Sequence, residues 1–146
     1  MPTISRSALV MYSVDQMYQL INDIPAYPHF LPDCNDSKVI SQDDQSVTAA
    51  LLVSKGGLSK WFTTKNTLIS NDKIHLSLVS GPFKKLEGYW LLTALSDDAC
   101  KVSLELEYEF SNKLVSLAFG KVFGHFSNSL VKVFTQRAKE IYGVNI

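Results

Sequence analysis

The stretch from Lys101 to Phe110 constrains the fold more than any other. Val102, Leu104, Leu106, Tyr108 and Phe110 alternate with Lys101, Ser103, Glu105, Glu107 and Glu109. A period of two with one apolar and one charged set is the mark of an antiparallel strand that is buried on one face and wet on the other. Such a face has to be covered. The next segment supplies the cover: Phe119, Val122, Phe123, Phe126, Leu130, Val133, Phe134 and Ile141 recur at steps of three and four, while Lys121, His125, Asn128, Lys132, Gln136 and Lys139 take the opposite side. Asn112 is placed to cap this helix and Gly143 to stop it near Tyr142. At ~1.5 Å per residue it spans ~45 Å, the width of a small sheet.

The alternation extends backward from the last strand. Leu86, Gly88, Trp90, Leu92 and Ala94 repeat it, as do Ile74, Leu76 and Leu78, and turn signals stand at Gln42–Gln45, Gly56-Gly57, Asn71-Asp72, Gly81-Pro82 and Ser96–Asp98. Ser37 to Phe110 is therefore expected to be an antiparallel meander. Thr3 to Val10 adds one more strand, and Ser13 caps a short helix carrying Met17, Leu20 and Ile21. Pro25, Pro28 and Pro32 interrupt the aromatic run Tyr27-Pro28-His29-Phe30-Leu31, which reads as a rigid apolar lip holding at most short helical turns. The expected fold is α+β: a curved antiparallel sheet of about seven strands around a long C-terminal helix, in one domain spanning residues 1–146. A chain of 146 residues is too short for two well-cored domains.

Composition narrows the function. Fourteen basic and fourteen acidic residues leave no net charge, so no global pull toward nucleic acid or an anionic membrane is expected. The charge is nevertheless uneven: residues 1–50 carry a net −4, and the segment from Asn112 onward a net +4. Cys34 and Cys100 form neither a disulfide framework nor a metal spacing. No signal-peptide stretch opens the chain and no run approaches ~20 apolar residues. A cytoplasmic protein without a transmembrane segment is the expectation.

Catalytic signatures are missing from the pattern. His29, His75 and His125 are far apart and fit no metal motif, so no metal site is expected; there is no nucleophile elbow and no phosphate-binding glycine loop. Glu105, Glu107 and Glu109 read as a solvated face rather than paired acids, and Cys34 as a small packed hydrophobe. What remains is a hollow between sheet and helix. Gly120 and Gly124 each cost ~1 kcal/mol in a helix relative to alanine, either for close packing or bending or to leave space for a ligand. The lip and these glycines suggest an apolar pocket lined or guarded by Tyr27, Phe30, Leu31, Phe83, Trp90, Phe119 and Phe123.

Ile4-Ser5-Arg6-Ser7, the lip from Ala26 to Cys34, Gly81-Pro82-Phe83 through Leu86-Glu87-Gly88-Tyr89-Trp90, and Arg137-Ala138 with Tyr142-Gly143 resemble one family along nearly the whole chain. It is the family of bacterial ribosome-association toxins of the RatA group, which is similar to the mitochondrial coenzyme Q-binding START-domain proteins. The resemblance implies the helix-grip, polyketide-cyclase-like (START/Bet v 1-like) fold and a non-enzymatic role without cofactor. It implies two partners of different kinds. One is ubiquinone or a similar apolar lipid, bound or chaperoned in support of respiration, with transient membrane contact. The other is the large ribosomal subunit, whose joining to the small one would be blocked; Lys121, Lys132, Arg137 and Lys139 are the candidate phosphate contacts.

Overall fold

A computed structural model describes residues 2–70 and 72–143. Seven strands, β1 (Thr3–Val10), β2 (Cys34–Gln42), β3 (Ser46–Lys55), β4 (Leu58–Ser70), β5 (Lys73–Ser80), β6 (Phe83–Ser96) and β7 (Ala99–Phe110), form one antiparallel sheet in the order β1-β7-β6-β5-β4-β3-β2. Two helices, α1 (Val14–Asn22) and α2 (Lys113–Tyr142), and a short 3-10 lip helix (Ile24–His29) complete it. β1 and β2 follow one another in the chain yet lie at opposite edges of the sheet. The segment between them, α1 and the lip, therefore has to run from one edge to the other.

The turns fall where glycine, asparagine and aspartate placed them, with Asn71 itself outside the described residues. The meander starts at Cys34 rather than Ser37. Asp33 takes a left-handed conformation (φ 68°), which ends the lip abruptly, and its carbonyl accepts the Ser54 amide at 2.9 Å. Aspartate tolerates this region better than most residues. Register shifts within β2, between β3's partner β4 and β5, and between β6 and β7 bend the strands into a trough. At Gly88 a β-carbon would stand 2.1 Å from the Glu105 carbonyl oxygen. The sheet can coil this tightly there because that position carries no side chain.

α1 begins with a reciprocal cap. Ser13 Oγ accepts the Gln16 amide at 3.1 Å and Gln16 Oε1 accepts the Ser13 amide at 2.9 Å. α2 is capped by Asn112, whose side chain accepts the Val115 amide at 2.9 Å, and ends at Gly143 with φ 79°. It lies in the trough against β1, β3 and β7. Phe119, Phe123, Phe126, Val131, Phe134 and Ala138 are buried there. Ile141, expected on the same stripe, is 51% exposed; Ala138 fills the last core position, and the final turn lies beside α1 instead. Tyr142 Oη donates to the Gln16 carbonyl at 2.9 Å, and Arg6 donates to Asn128 Oδ1 at 2.9 and 3.1 Å, tying α2 to α1 and β1.

The glycines separate two kinds of packing. A β-carbon at Gly124 would meet only the Tyr108 hydroxyl at 3.9 Å, and one at Gly120 only Phe110 and Ser116 at 3.8 and 3.9 Å, which is ordinary contact distance. Close approach to the sheet therefore does not explain these two. Gly88→Ala should destabilise the protein by at least about 2 kcal/mol, whereas Gly124→Ala should leave it unchanged or stabilise it by about 0.5–1 kcal/mol. Urea unfolding of the two variants would check both signs.

Candidate functional site

Between α2 and the concave strands the packing divides into two halves. One half is solid. Phe62, Phe83, Tyr108, Phe110, Phe119 and Phe123 interlock, with Phe83 and Tyr108 each 4.8 Å from Phe123 between ring centroids and Phe119 6.1 Å from it. Most of these rings meet edge to face, the favoured aromatic geometry. Phe119 is fully buried and Phe83 is a buried strand residue rather than a loop aromatic. Neither lines a cavity; together they are the plug of this end.

The other half holds a chamber of about 80 Å³. Its walls are Leu51 on β3, Phe62, Thr64 and Asn66 on β4, Leu76 on β5, Leu86 and Trp90 on β6, Leu104 and Leu106 on β7, and Phe123, Phe126, Ser127, Leu130 and Phe134 on α2, with Tyr27 from the lip. Of the seven sequence-derived pocket candidates, the structure brings Tyr27, Trp90 and Phe123 to the chamber wall. Phe30 and Leu31 stand behind that wall. Phe30 contacts both Tyr27 and Phe134 edge to face, at 6.0 and 5.4 Å, and Leu31 is buried, its amide donating to the Tyr27 carbonyl at 2.9 Å. Tyr27 and Leu31 of the lip thus belong to the core, while Phe30 is half-buried and Pro25, His29 and Pro32 are exposed. Tyr27 is only 8% exposed, and its hydroxyl donates to the Ile21 carbonyl.

Besides Tyr27 and Trp90, three side chains put polar groups in the wall: Thr64 and Asn66, which the sequence reading passed over, and Ser127, which follows Gly120 and Gly124 on nearly the same face of α2. Phe62, Thr64, Asn66 and Leu68 share the concave face of β4, and the period of two could have exposed the two polar members. Thr64 Oγ1 donates to Asn66 Oδ1 at 2.7 Å. Ser127 donates to the Phe123 carbonyl at 2.7 Å, turning back on its own helix. Engineered cavities of ~150 Å³ bind benzene and ligand sites commonly reach 300–1,000 Å³, so a ring enters this chamber only if its walls give way. The α2 segment over and beside it carries the residues that favour a helix least. It contains Gly120 and Gly124, and the side chains of Ser127, Asn128 and Ser129 all bond back to helix carbonyls.

Acid-base groups lie elsewhere. Among the described chamber residues only Tyr27 titrates, and burial pushes its phenol far up. His75 and Glu87 pair at 3.3 Å on the outer face of the sheet, Lys85 meets Glu107 at 3.2 Å, and Ser5 donates to Glu105 at 2.7 Å. Among the described residues no three His, Cys, Asp or Glu side chains gather as a metal set. No helix of the described residues is long and apolar enough to cross a membrane.

The second feature is the outer side of α2. Lys121, His125, Asn128, Lys132, Gln136 and Lys139 are all exposed and follow one another at steps of four and three. They form one stripe that runs ~27 Å from Lys121 to Lys139 at ~1.5 Å per residue. From Lys113 to Lys139 the chain contains no acidic residue. Arg137, the fourth candidate contact, stands off this stripe. Its guanidinium lies 4.8 Å over the Phe30 ring and 3.3 Å from Glu140, and its side chain is 22% exposed, which makes it a clamp on the lip.

Burial pushes the Cys34 thiol up to about 11 from an ordinary 9, and raises the Tyr27 phenol as well. Both pKa values lie above those of the unfolded chain, so the unfolded state loses these protons first. The stabilisation from keeping the groups neutral is complete below about pH 9 and decays as pH rises toward 11. The melting temperature should therefore fall above pH 9, and less steeply in Cys34→Ala. Thermal unfolding followed by circular dichroism between pH 7 and 11 would measure the two slopes.

Known proteins share this arrangement. Residues 10–135 match the family described as polyketide cyclase / dehydrase and lipid transport. The persistence and stress-resistance toxin PasT of Escherichia coli O6:H1 is 55% identical over 97% of this chain and 90% of its own length. The ribosome association toxin RatA of Escherichia coli K12 is 54% identical over the same shares. The mitochondrial coenzyme Q-binding protein coq10 of Schizosaccharomyces pombe is 27% identical over 91% of this chain and 84% of its own length. Among solved structures, the Zhui aromatase/cyclase of Streptomyces sp. R1128 superposes with a TM-score of 0.83 at 12% identity, over 95% of this chain and 94% of that one. The trough of seven strands gripping α2 is the helix-grip fold, and the chain belongs to the polyketide cyclase / dehydrase and lipid transport family.

Proposed function

We propose that this chain is a non-enzymatic, cytoplasmic protein that associates with the large ribosomal subunit through the outer stripe of α2 and so hinders subunit joining. The stripe itself carries the reading. Lys121, Lys132 and Lys139 project from one rigid helix that has no acidic residue until Glu140. An array of this kind suits the phosphates of folded RNA, where affinity comes from released counterions. The acidic half of the chain adds direction: Asp36, Asp43 and Asp44 lie on β2 and its turn, at the sheet edge far from β1, so the zero net charge is a separation of charge rather than its absence. Relatives more than half identical and named as toxins, one of them for ribosome association, support the same reading.

A second reading rests on the chamber. A mostly apolar hollow ringed by Tyr27, Trp90 and Phe134 favours a small ring-bearing molecule, and ubiquinone is the candidate that the coenzyme Q-binding relative suggests. Burial at ~25 cal/mol per Å² supplies affinity without any catalytic group. The two readings use opposite faces of α2 and are compatible.

Three phosphate contacts imply a salt exponent near −2, so binding to isolated large subunits should weaken roughly twenty-fold between 50 and 200 mM salt. Sucrose-gradient cosedimentation would measure it. The Lys121→Glu/Lys132→Glu/Lys139→Glu variant, with native circular dichroism, should no longer cosediment. Undiminished cosedimentation of that variant would remove the stripe from the account.

A further inference from the structure

Asn66 is an unusual residue for its place in the sheet. It occupies a concave position of β4 whose cross-strand partners are Val47 on β3 and Leu76 on β5, and its neighbour on the same face, Thr64, sits between Ala49 and Leu78. Asparagine is depleted from strands, and an amide moved out of water without partners is costly. Their backbones pair with β3 and β5, but among the described residues their side chains hydrogen-bond to each other and to no neighbouring element. The Thr64 hydroxyl donates to Asn66 Oδ1 at 2.7 Å. With its oxygen engaged in this way, the amide of this chamber residue keeps its nitrogen as a donor that has no hydrogen-bond partner among the described residues. Ser127, the third polar wall, spends its proton on the Phe123 carbonyl at 2.7 Å. The chamber wall therefore carries two donors without a hydrogen-bond partner among the described residues, Asn66 Nδ2 and the Trp90 indole N–H, between side chains that are otherwise aliphatic and aromatic.

We infer that Asn66, oriented by Thr64, is the specificity-determining group of the chamber, and that the chamber takes a small ring compound bearing a carbonyl-type acceptor oxygen in preference to a hydrocarbon of the same shape. The inference rests on the second reading above, in which the chamber is a binding site. The chemistry runs in one direction. An acceptor oxygen placed against Asn66 Nδ2 satisfies a donor that water alone can otherwise satisfy in a space of about 80 Å³. A hydrocarbon in the same place displaces that water and leaves the donor bare. A purely apolar cavity gives the reverse order, since the less water-soluble ligand wins there.

Acetophenone and α-methylstyrene differ only in a carbonyl oxygen against a methylene, and serve as the probes. Their dissociation constants would be read by methyl NMR from Leu76, Leu104 and Leu130, all chamber residues. Acetophenone should bind at least ten-fold tighter to the natural chain and shift the Asn66 side-chain amide signals, which α-methylstyrene should leave in place. Asn66→Leu should invert the preference, and Thr64→Val, which frees the amide oxygen, should reduce it. Equal affinities, or tighter binding of α-methylstyrene to the natural chain, would overturn the assignment of Asn66 while leaving the chamber a binding site. Binding of neither probe would overturn the chamber reading and this inference with it. The comparison within the natural chain decides the matter even if Asn66→Leu does not fold.

Discussion

Everything in this molecule depends on one contact, the burial of the apolar side of α2 in the trough of the sheet. Phe119, Phe123 and Phe134 are almost entirely buried, and removing any one of such rings typically costs 3–5 kcal/mol. The contact fixes more than stability. Because α2 is a single 30-residue helix, burying one side determines which residues face solvent, and the cationic stripe is the geometric complement of the core stripe. The same contact leaves the chamber, since one half is filled by interlocking rings and the other is walled by leucines and rings interrupted by Thr64, Asn66 and Ser127.

The two functional features are thus two sides of one element. Phe123, Phe126 and Ser127 close the chamber from above, while Lys121, His125 and Asn128 of the same turns face outward. Lys121 lies between the two helix glycines, and Asn128 is held by Arg6 of β1. The family fold accommodates both surface association and ligand binding, and fold alone does not select between them. Selection comes from side chains: a run of 27 residues without an acid on one side, and three polar groups in an apolar wall on the other.

Much of this was legible in the sequence because it was periodic. The β7 alternation and the α2 repeat specified the sheet and its cover, and the caps at Ser13, Asn112 and Gly143 stand where the residue types put them. The order of β1 and β2 at opposite edges was not legible, because long-range pairing leaves no local signal. Phe83 directly follows the Gly81-Pro82 turn signal, which says nothing of its burial, and pairing with Phe110 draws it into the core. Arg137 counted as a free cation because sequence cannot show the Phe30 ring beneath it. Thr64 and Asn66 carry no signal of their own in the sequence, because a neutral polar residue among apolar neighbours stands out only once the concave face is known.

The central claim is that the cationic face of α2 is the contact surface with large-subunit RNA. An electron cryomicroscopy reconstruction of the chain bound to isolated large subunits tests it most directly. The account predicts α2 lying along ribosomal RNA, with the ammonium groups of Lys121, Lys132 and Lys139 within hydrogen-bonding reach of phosphate oxygens and the outer face of the sheet turned to solvent. Density showing α2 turned away from RNA, with the chain held by the sheet or the lip, would contradict it.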